Sequence, residues 1–199
     1  AKEHGCQGPI LDVGCGEGYY SSRLADALDA PLTGLDISKE AVRCAAAKYK
    51  GHQWFTATAA HIPVENNSVG LMTSLFALTL PEEFHRVLKS DGYYFQVLAA
   101  QDHLLGLKSI IYDELHLKEK DSVPELPGFT RLEILPVRYR VTLDSQEQIQ
   151  ALFRMTPYCH RTPAAGRAAL AQLDRLECAL EFDLHILEKN PEQNEKAPV

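Results

Sequence analysis

The sequence predicts an α/β protein of the doubly wound kind, with a mostly parallel sheet and helices on both faces. Three observations carry that prediction. The apolar run Pro9, Ile10, Leu11 and Val13 leads into glycines at 14, 16 and 18, followed by the helical spacing of Arg23, Leu24, Ala25 and Leu28. A second apolar run, Pro31-Leu32-Thr33-Gly34-Leu35, ends in Asp36. Strand-like and helix-like stretches then alternate, as they do where each crossover between parallel strands is a helix.

The first unit, strand then glycine turn then helix, builds a ligand cradle above the strand's carboxyl end. Glycine suits that turn because ligand can lie against bare backbone and because φ values closed to other residues are available. Asp36 ends the second strand, where a carboxylate can accept both hydroxyls of a ribose. It could equally cap the following helix, as could Ser38. That helix runs through Ala41, Val42, Ala45, Ala46 and Ala47, all good helix formers apart from the valine. Gln53 to Ala57 reads as strand three and Val69 to Phe76 as strand four. Pro81 opens a helix through Phe84, Val87 and Leu88, at a first turn where proline costs nothing. Ser90-Asp91-Gly92 reads as a turn and Tyr93 to Ala99 as strand five.

Further on, Asp102 to Leu117 reads as helix and Asp121 to Gly128 as a proline-containing connection. Leu132 to Leu143 reads as strand, Ser145 to Phe153 as helix, and Leu176 to Leu187 as a second late strand. The polar, proline-bearing tail from Asn190 to Val199 is expected to be disordered, which leaves residues 1–189 as one domain.

Composition bounds the function. A chain of 199 residues with 45% hydrophobic content can bury one sizeable core, and is short for two. No apolar run approaches the ~20 residues of a membrane span, and no signal peptide opens the chain. The five cysteines (Cys6, Cys15, Cys44, Cys159 and Cys178) form no C-x-x-C pair. That argues against a metal site or a disulfide framework and for a reducing, cytoplasmic setting. A net charge of −7 is unfavourable for gripping a polyanion. Locally the balance inverts: from Arg131 to Arg167 six arginines (131, 138, 140, 154, 161, 167) face three acids, Glu133, Asp144 and Glu147.

The glycine turn reads D-x-G-x-G-x-G from Asp12 to Gly18, with Tyr19 where a dinucleotide fingerprint would place its last glycine. It resembles motif I of the class I S-adenosylmethionine-dependent methyltransferases. Thr58-Ala59-Ala60-His61-Ile62-Pro63-Val64 resembles the segment of that family whose backbone meets the adenine, with Thr58 where an Asp is common. A backbone donor at Ala59 survives that change. Glu83 to Gly92 resembles the family's E-x-x-R-V-L-K-P-G-G stretch, a structural element. The resemblance implies a Rossmann-like, seven-stranded, mostly parallel sheet with an antiparallel edge.

A narrower resemblance covers nearly the whole chain, from about Ile10 to Leu187. His103-Leu104-Leu105-Gly106-Leu107-Lys108 through Tyr112, Glu114 and His116-Leu117, together with Leu152-Phe153-Arg154-Met155-Thr156-Pro157-Tyr158, resembles the RlmA-type guanine-N1 methyltransferases of bacterial large-subunit ribosomal RNA. The resemblance implies S-adenosylmethionine as cofactor. Asp12, Gly14, Gly16, Glu17, Gly18, Asp36, Ile37, Ala59 and His103 are the expected cofactor-binding residues. Phe76, Arg154, Met155, Thr156 and Pro157 are expected around the target base. Large-subunit ribosomal RNA is the expected partner, and a homodimer is compatible with the family. No metal ligand and no catalytic base is assigned. Glu17 could instead be a solvated acid at a helix start, and His103 an ordinary residue at a helix N-terminus. Members of that family carry an amino-terminal zinc-binding module, so this chain is expected to be the catalytic domain without it. The rival expectations are a methyltransferase of a quinone or lipid precursor, a non-catalytic cofactor-binding domain, and more remotely an aminopropyltransferase.

Overall fold

In the computed structural model, which describes residues 1–112 and 125–191, alternate residues of each central strand leave the sheet in opposite directions. Leu11, Val13, Leu35, Met72, Tyr94 and Leu187 enter one buried cluster with Phe84, Val87 and Phe129. Their neighbours Ile10, Leu32, Leu71, Phe95 and Ile186 enter another, closed by Ala25 and Leu24 of the first helix. A sheet buried on both faces is what parallel strands with helical crossovers produce.

The elements are β1 (Ile10–Val13), α1 (Tyr19–Leu28), β2 (Leu32–Asp36), α2 (Lys39–Lys48), β3 (Gln53–Thr56), β4 (Val69–Leu75), α3 (Pro81–Val87), β5 (Leu88–Ala99), α4 (Leu105–Ile111), β6 (Phe129–Leu143), α5 (Gln146–Arg154), a 3₁₀ turn (Pro157–His160), α6 (Ala164–Ala171) and β7 (Leu176–Lys189). The seven strands are ordered β3-β2-β1-β4-β5-β7-β6, mostly parallel with an antiparallel edge. The β1–β2, β1–β4, β2–β3 and β4–β5 pairs are parallel. Strand order therefore reverses beside β1, and the crevice between β1 and β4 lies above their carboxyl ends, where doubly wound folds bind ligands.

Two compact units divide the chain: Ala1–Leu98 with Pro124–Leu135 and Leu184–Val199, and Ala99–Val123 with Pro136–Asp183. The second has its own core of Leu104, Leu107, Ile111, Ile149, Phe153, Leu170, Leu176 and Cys178.

Several local readings need correction. Ser90-Asp91-Gly92 is not a free turn but a bulge inside β5, because Leu88 already pairs with Val69 while Tyr93 pairs with Leu71. The helix expected from Asp102 starts at Leu105, after Leu104 takes a left-handed φ of 57°; its expected extension over 113–117 lies outside the described residues. The connection expected at 121–128 is described only from Glu125, and the tail only to Pro191. β6 begins at Phe129, three residues before the expected Leu132, since Phe129 is drawn into the core. The alanine-rich α6 has too few apolar markers to show a period and was not expected; Gly166 lets it approach the backbone of α4, where a Cβ would lie 2.3 Å from the Ile111 carbonyl oxygen.

Two devices position the site. Trp54 packs flat where glycines leave room, so that a Cβ on Gly34 or Gly18 would fall 2.4 or 2.5 Å from its ring. Its Nε1–H donates to the Tyr49 carbonyl at 3.1 Å. Arg86 on α3 fixes the segment after β3: its guanidinium donates to the carbonyls of Ile62 and Val64, each at 2.9 Å, and to Glu83. Glu83 in turn accepts the Ile62 N–H at 2.8 Å.

The Arg86 guanidinium holds the Glu83 carboxyl down to about 2 from the ordinary 4.5. A depressed folded-state pKa gives stabilisation that is complete above the ordinary value and lost as pH falls through the folded one. Glu83→Gln should therefore cost roughly 1 kcal/mol at neutral pH, after allowance for partial exposure, and flatten the acid limb. Urea midpoints measured between pH 6 and pH 2 should converge for the two proteins at the acid end.

Candidate functional site

β1 delivers its chain to the crevice at Gly14. There φ is +81°, and a Cβ would stand 2.6 Å from that of Ala77. Gly16 has φ +54° with open space where its Cβ would be, so bare backbone faces outward. Gly18, also left-handed, caps α1. The Gly14 and Cys15 N–H groups both donate to the Leu35 carbonyl, at 2.8 and 3.0 Å, which seats the turn on the end of β2.

Asp36 closes the arrangement. One carboxylate oxygen accepts the Gly16 N–H and the other the Ser38 N–H, both at 2.9 Å. Each oxygen keeps an acceptor site, because a carboxylate offers about four. The capping task belongs to Ser38, whose hydroxyl accepts the Ala41 N–H at 3.2 Å. Asp36 is thus left to organise the crevice mouth.

The crevice has a volume of about 350 Å³ and is walled by Gly14, Asp36, Ile37, Ala57, Thr58, Ala59 and Leu75 to Leu78, over Val13 and Leu35. That lies within the ~300–1,000 Å³ range of small-ligand sites. The Ala59 N–H meets no acceptor among the described residues. Ile37 and Phe76 are 79% and 56% exposed and present apolar surface at the crevice. Phe76 sits at φ +58°, a conformation costly for an aromatic residue, held by its N–H donating to the Val97 carbonyl at 3.1 Å. Behind it Thr79 accepts from Gln96 at 2.7 Å and bonds the Tyr94 hydroxyl at 3.0 Å, which anchors the wall.

Gly14, Asp36, Ile37, Ala59 and Phe76 thus converge, with Gly16 joined to them through its bond to Asp36. Other expected residues stand elsewhere. Asp12 is buried beneath the crevice, accepting from Thr73 at 2.6 Å and from Ser21. Burial pushes its pKa up against those two hydrogen bonds. Glu17 is on the surface, paired with Lys48. His103 belongs to the second unit, where its Nδ1 accepts the Glu181 N–H at 3.2 Å and its ring lies tilted by 48° against that of Phe182, with centroids 4.6 Å apart. Arg154, Met155 and Pro157 are exposed in the same unit. Thr156 is turned inward there, donating to the Phe153 carbonyl at 2.8 Å.

Sequence reasoning missed Leu75, Ala77 and Leu78 as wall residues, and Ser21 and Thr73 as partners of Asp12. Nothing in local pattern marks them, since each acts only through a neighbouring strand or helix. Asp36 is the sole ionisable side chain among the wall residues. Among the described residues no group of three His, Cys, Asp or Glu side chains is placed to hold a metal ion, and no helix is long and apolar enough to cross a membrane.

Residues 10–92 match the methyltransferase domain family. A Bacillus subtilis (strain 168) protein, assigned by name to the 23S rRNA (guanine-N1)-methyltransferases, is 30% identical over 185 residues, 89% of this chain and 65% of its own length. The chain thus spans just under two thirds of that relative. The malonyl-acyl-carrier-protein O-methyltransferase of Hamiltonella defensa is 25% identical over 189 residues, 85% of this chain and 71% of that protein. A Bacillus halodurans structure described as a methyltransferase superposes with a TM-score of 0.58 at 16% identity, over 95% of this chain and 96% of that one, a likeness of fold. The matched segment contains the glycine turn, Asp36 and the wall from Ala57 to Ala59.

Cys15, buried in the glycine turn beside two acids, has its thiol pushed up to about 12 by burial and by Asp12 and Asp36. Only about one molecule in ten thousand would carry the thiolate at pH 8. Cys15 should resist iodoacetamide in the folded protein while partly exposed Cys44 and Cys159 react. Peptide mapping by mass spectrometry after native and denatured labelling reads the difference.

Proposed function

We propose that this chain transfers a methyl group from S-adenosylmethionine to N1 of a guanine in large-subunit ribosomal RNA, in the cytoplasm. The observation that carries the methyl-donor reading is the crevice itself. A carboxylate with spare lone pairs, an unclaimed backbone N–H at Ala59 and bare glycine backbone line one cavity. These residues fit an adenosyl group: Asp36 would accept the ribose hydroxyls, Ala59 would donate to the adenine edge, and Ile37 would cover its face. Gly14, Gly16 and Gly18 would let the methionine end lie on main chain. Asp12 and Glu17 would act from outside the cavity, Asp12 by holding β1, α1 and β4 in register.

When bound, the cofactor supplies a sulfonium methyl that is already activated toward nucleophiles. What remains for the protein is alignment of the acceptor nitrogen with that methyl, which is catalysis by positioning. Phe76, an exposed ring on the β4 side of the cavity, would stack on the target base and fix its plane. The N1 proton must depart as the N–C bond forms. No wall residue besides Asp36 can take it, so no general base is assigned to the crevice. His103, Arg154, Met155, Thr156 and Pro157 keep the roles that the resemblance implies, His103 toward the cofactor and the others toward the base.

The RNA target is supported by the Bacillus subtilis relative, whose match runs through 89% of this chain. A second reading, methylation of a small molecule such as a quinone or lipid precursor, is favoured by the Hamiltonella defensa relative at 25% identity. Incubation with methyl-labelled cofactor and large-subunit ribosomal RNA, followed by nucleoside digestion, should yield labelled 1-methylguanosine. Label confined to small metabolites would instead establish the second reading. Binding without transfer to any acceptor would leave a cofactor-binding domain.

Asp36→Asn removes the charge and one acceptor, and turns an amide NH2 toward one of the two backbone donors. Loss of charge-assisted bonds worth about 1.5–3 kcal/mol should raise the Kd for S-adenosylmethionine roughly 10- to 100-fold. Calorimetric titration checks this; an unchanged Kd would remove Asp36 from the site.

A further inference from the structure

From Arg154 to Arg167 the chain reads RMTPYCHRTPAAGR, with three arginines, one histidine and no acid, inside a protein of net charge −7. In the second unit this stretch is the end of α5, the 3₁₀ turn and the start of α6. The turn is internally tied. The Arg161 N–H donates to the Tyr158 carbonyl at 2.9 Å, the Thr162 hydroxyl donates to the same carbonyl at 2.9 Å, and the Cys159 thiol reaches the Arg154 carbonyl at 3.8 Å. Arg167 is spent on that framework, donating to the carbonyls of Cys159 at 2.7 Å and Thr162 at 3.2 Å.

Arg154 and Arg161 are different. Both are exposed, and among the described residues neither meets a carboxylate. Elsewhere in the same unit Arg138 is neutralised by Glu181 and Asp183 and Arg175 by Asp144 and Glu177, while Arg140, on β6, is exposed and also meets no carboxylate among the described residues. Two guanidinium groups that meet no carboxylate among the described residues flank one 3₁₀ turn in an acidic chain, which gives that turn a local positive charge suited to an anion. Met155 adjoins Arg154 and is 83% exposed. A soft apolar surface beside a cation suits a partner with flat ribose and base faces between its charges better than an acidic peptide.

We propose that Arg154 and Arg161, bordering the entrance for the target base, grip the RNA backbone phosphates that flank it, making the 154–167 turn a sequence-independent anchor that holds the substrate strand. The inference rests on the RNA reading given above and adds where the strand is held. Phosphate contacts position a nucleic acid without reading its sequence, and each one displaces a condensed counterion. The anchor therefore announces itself in the salt dependence of binding.

The test uses the full chain and a fluorescein-labelled RNA stem-loop, with affinity measured by anisotropy from 50 to 200 mM salt. Each phosphate contact contributes roughly 0.7–0.9 to the slope of log affinity against log salt. Arg154→Ala/Arg161→Ala should lower the slope by about 1.6, so that its affinity deficit shrinks about ninefold across that range. It should do so equally for stem-loops of unrelated sequence. Arg154→Lys/Arg161→Lys should keep the slope, as should Arg175→Ala, whose head is already paired. Circular dichroism melting confirms that each variant is folded. A double alanine variant with the parental slope would overturn the anchor while leaving the RNA reading intact. A parental protein with no salt-dependent RNA binding would overturn both. Slope loss toward polyglutamate but not RNA would reassign the turn to an acidic protein partner.

Discussion

The carboxylate of Asp36 accepts one N–H from the glycine turn and one from the start of α2, and the geometry of the crevice follows from that clamp. It joins the tips of β1 and β2 beyond the point where the Gly14 and Cys15 N–H groups reach the Leu35 carbonyl. Removing it would leave Gly16 free in a region where glycine backbone has many conformations to sample. Asp12 does the corresponding work one layer down. It takes hydroxyl bonds from Ser21 on α1 and Thr73 on β4, so three elements meet at one buried acid. Burial of such a group is tolerable only because both oxygens are bonded. The two acids of the motif thus divide the labour, one fixing the frame and the other facing the cavity.

The cavity's remaining walls are held at a distance from it. The segment carrying Ala57 to Ala59 continues into carbonyls gripped by Arg86, which Glu83 holds in place. The opposite wall carries Phe76 in a left-handed conformation and is fastened by Thr79 to Tyr94 and Gln96. A strained, exposed aromatic residue persists only where its surroundings over-determine it. Both walls are thus braced by hydrogen bonds made outside the crevice.

The wall also explains the chemical restraint of the site. Among its lining residues only Asp36 ionises, and the nearby thiol of Cys15 is held in its neutral form. Such a lining is compatible with a reaction whose reagent arrives already activated.

Much of this was legible in the amino-acid sequence. The order of strands and helices through Ala99, the glycine turn and Asp36 at the end of β2 follow from short-range pattern, because strand periods and turn chemistry are local; Ala59 and Ile37 beside it are marked only by the family resemblance. The bulge in β5 was not legible, since it exists to bring Leu88 opposite Val69, a pairing between strands. Nor was α6, whose alanines give no period, or the role of Thr73, which lies 61 residues from the acid it serves. The basic stretch was visible as composition, yet six arginines there could not be told apart. Tertiary structure spent Arg138 on acids and Arg167 on carbonyls, and left Arg140, Arg154 and Arg161 facing solvent. Sequence by itself determined which backbone could form a cradle, because glycine and strand patterns act over a few residues. Only the fold decided which side chains close that cradle and which charges stay unspent, because those outcomes depend on partners brought together from distant parts of the chain.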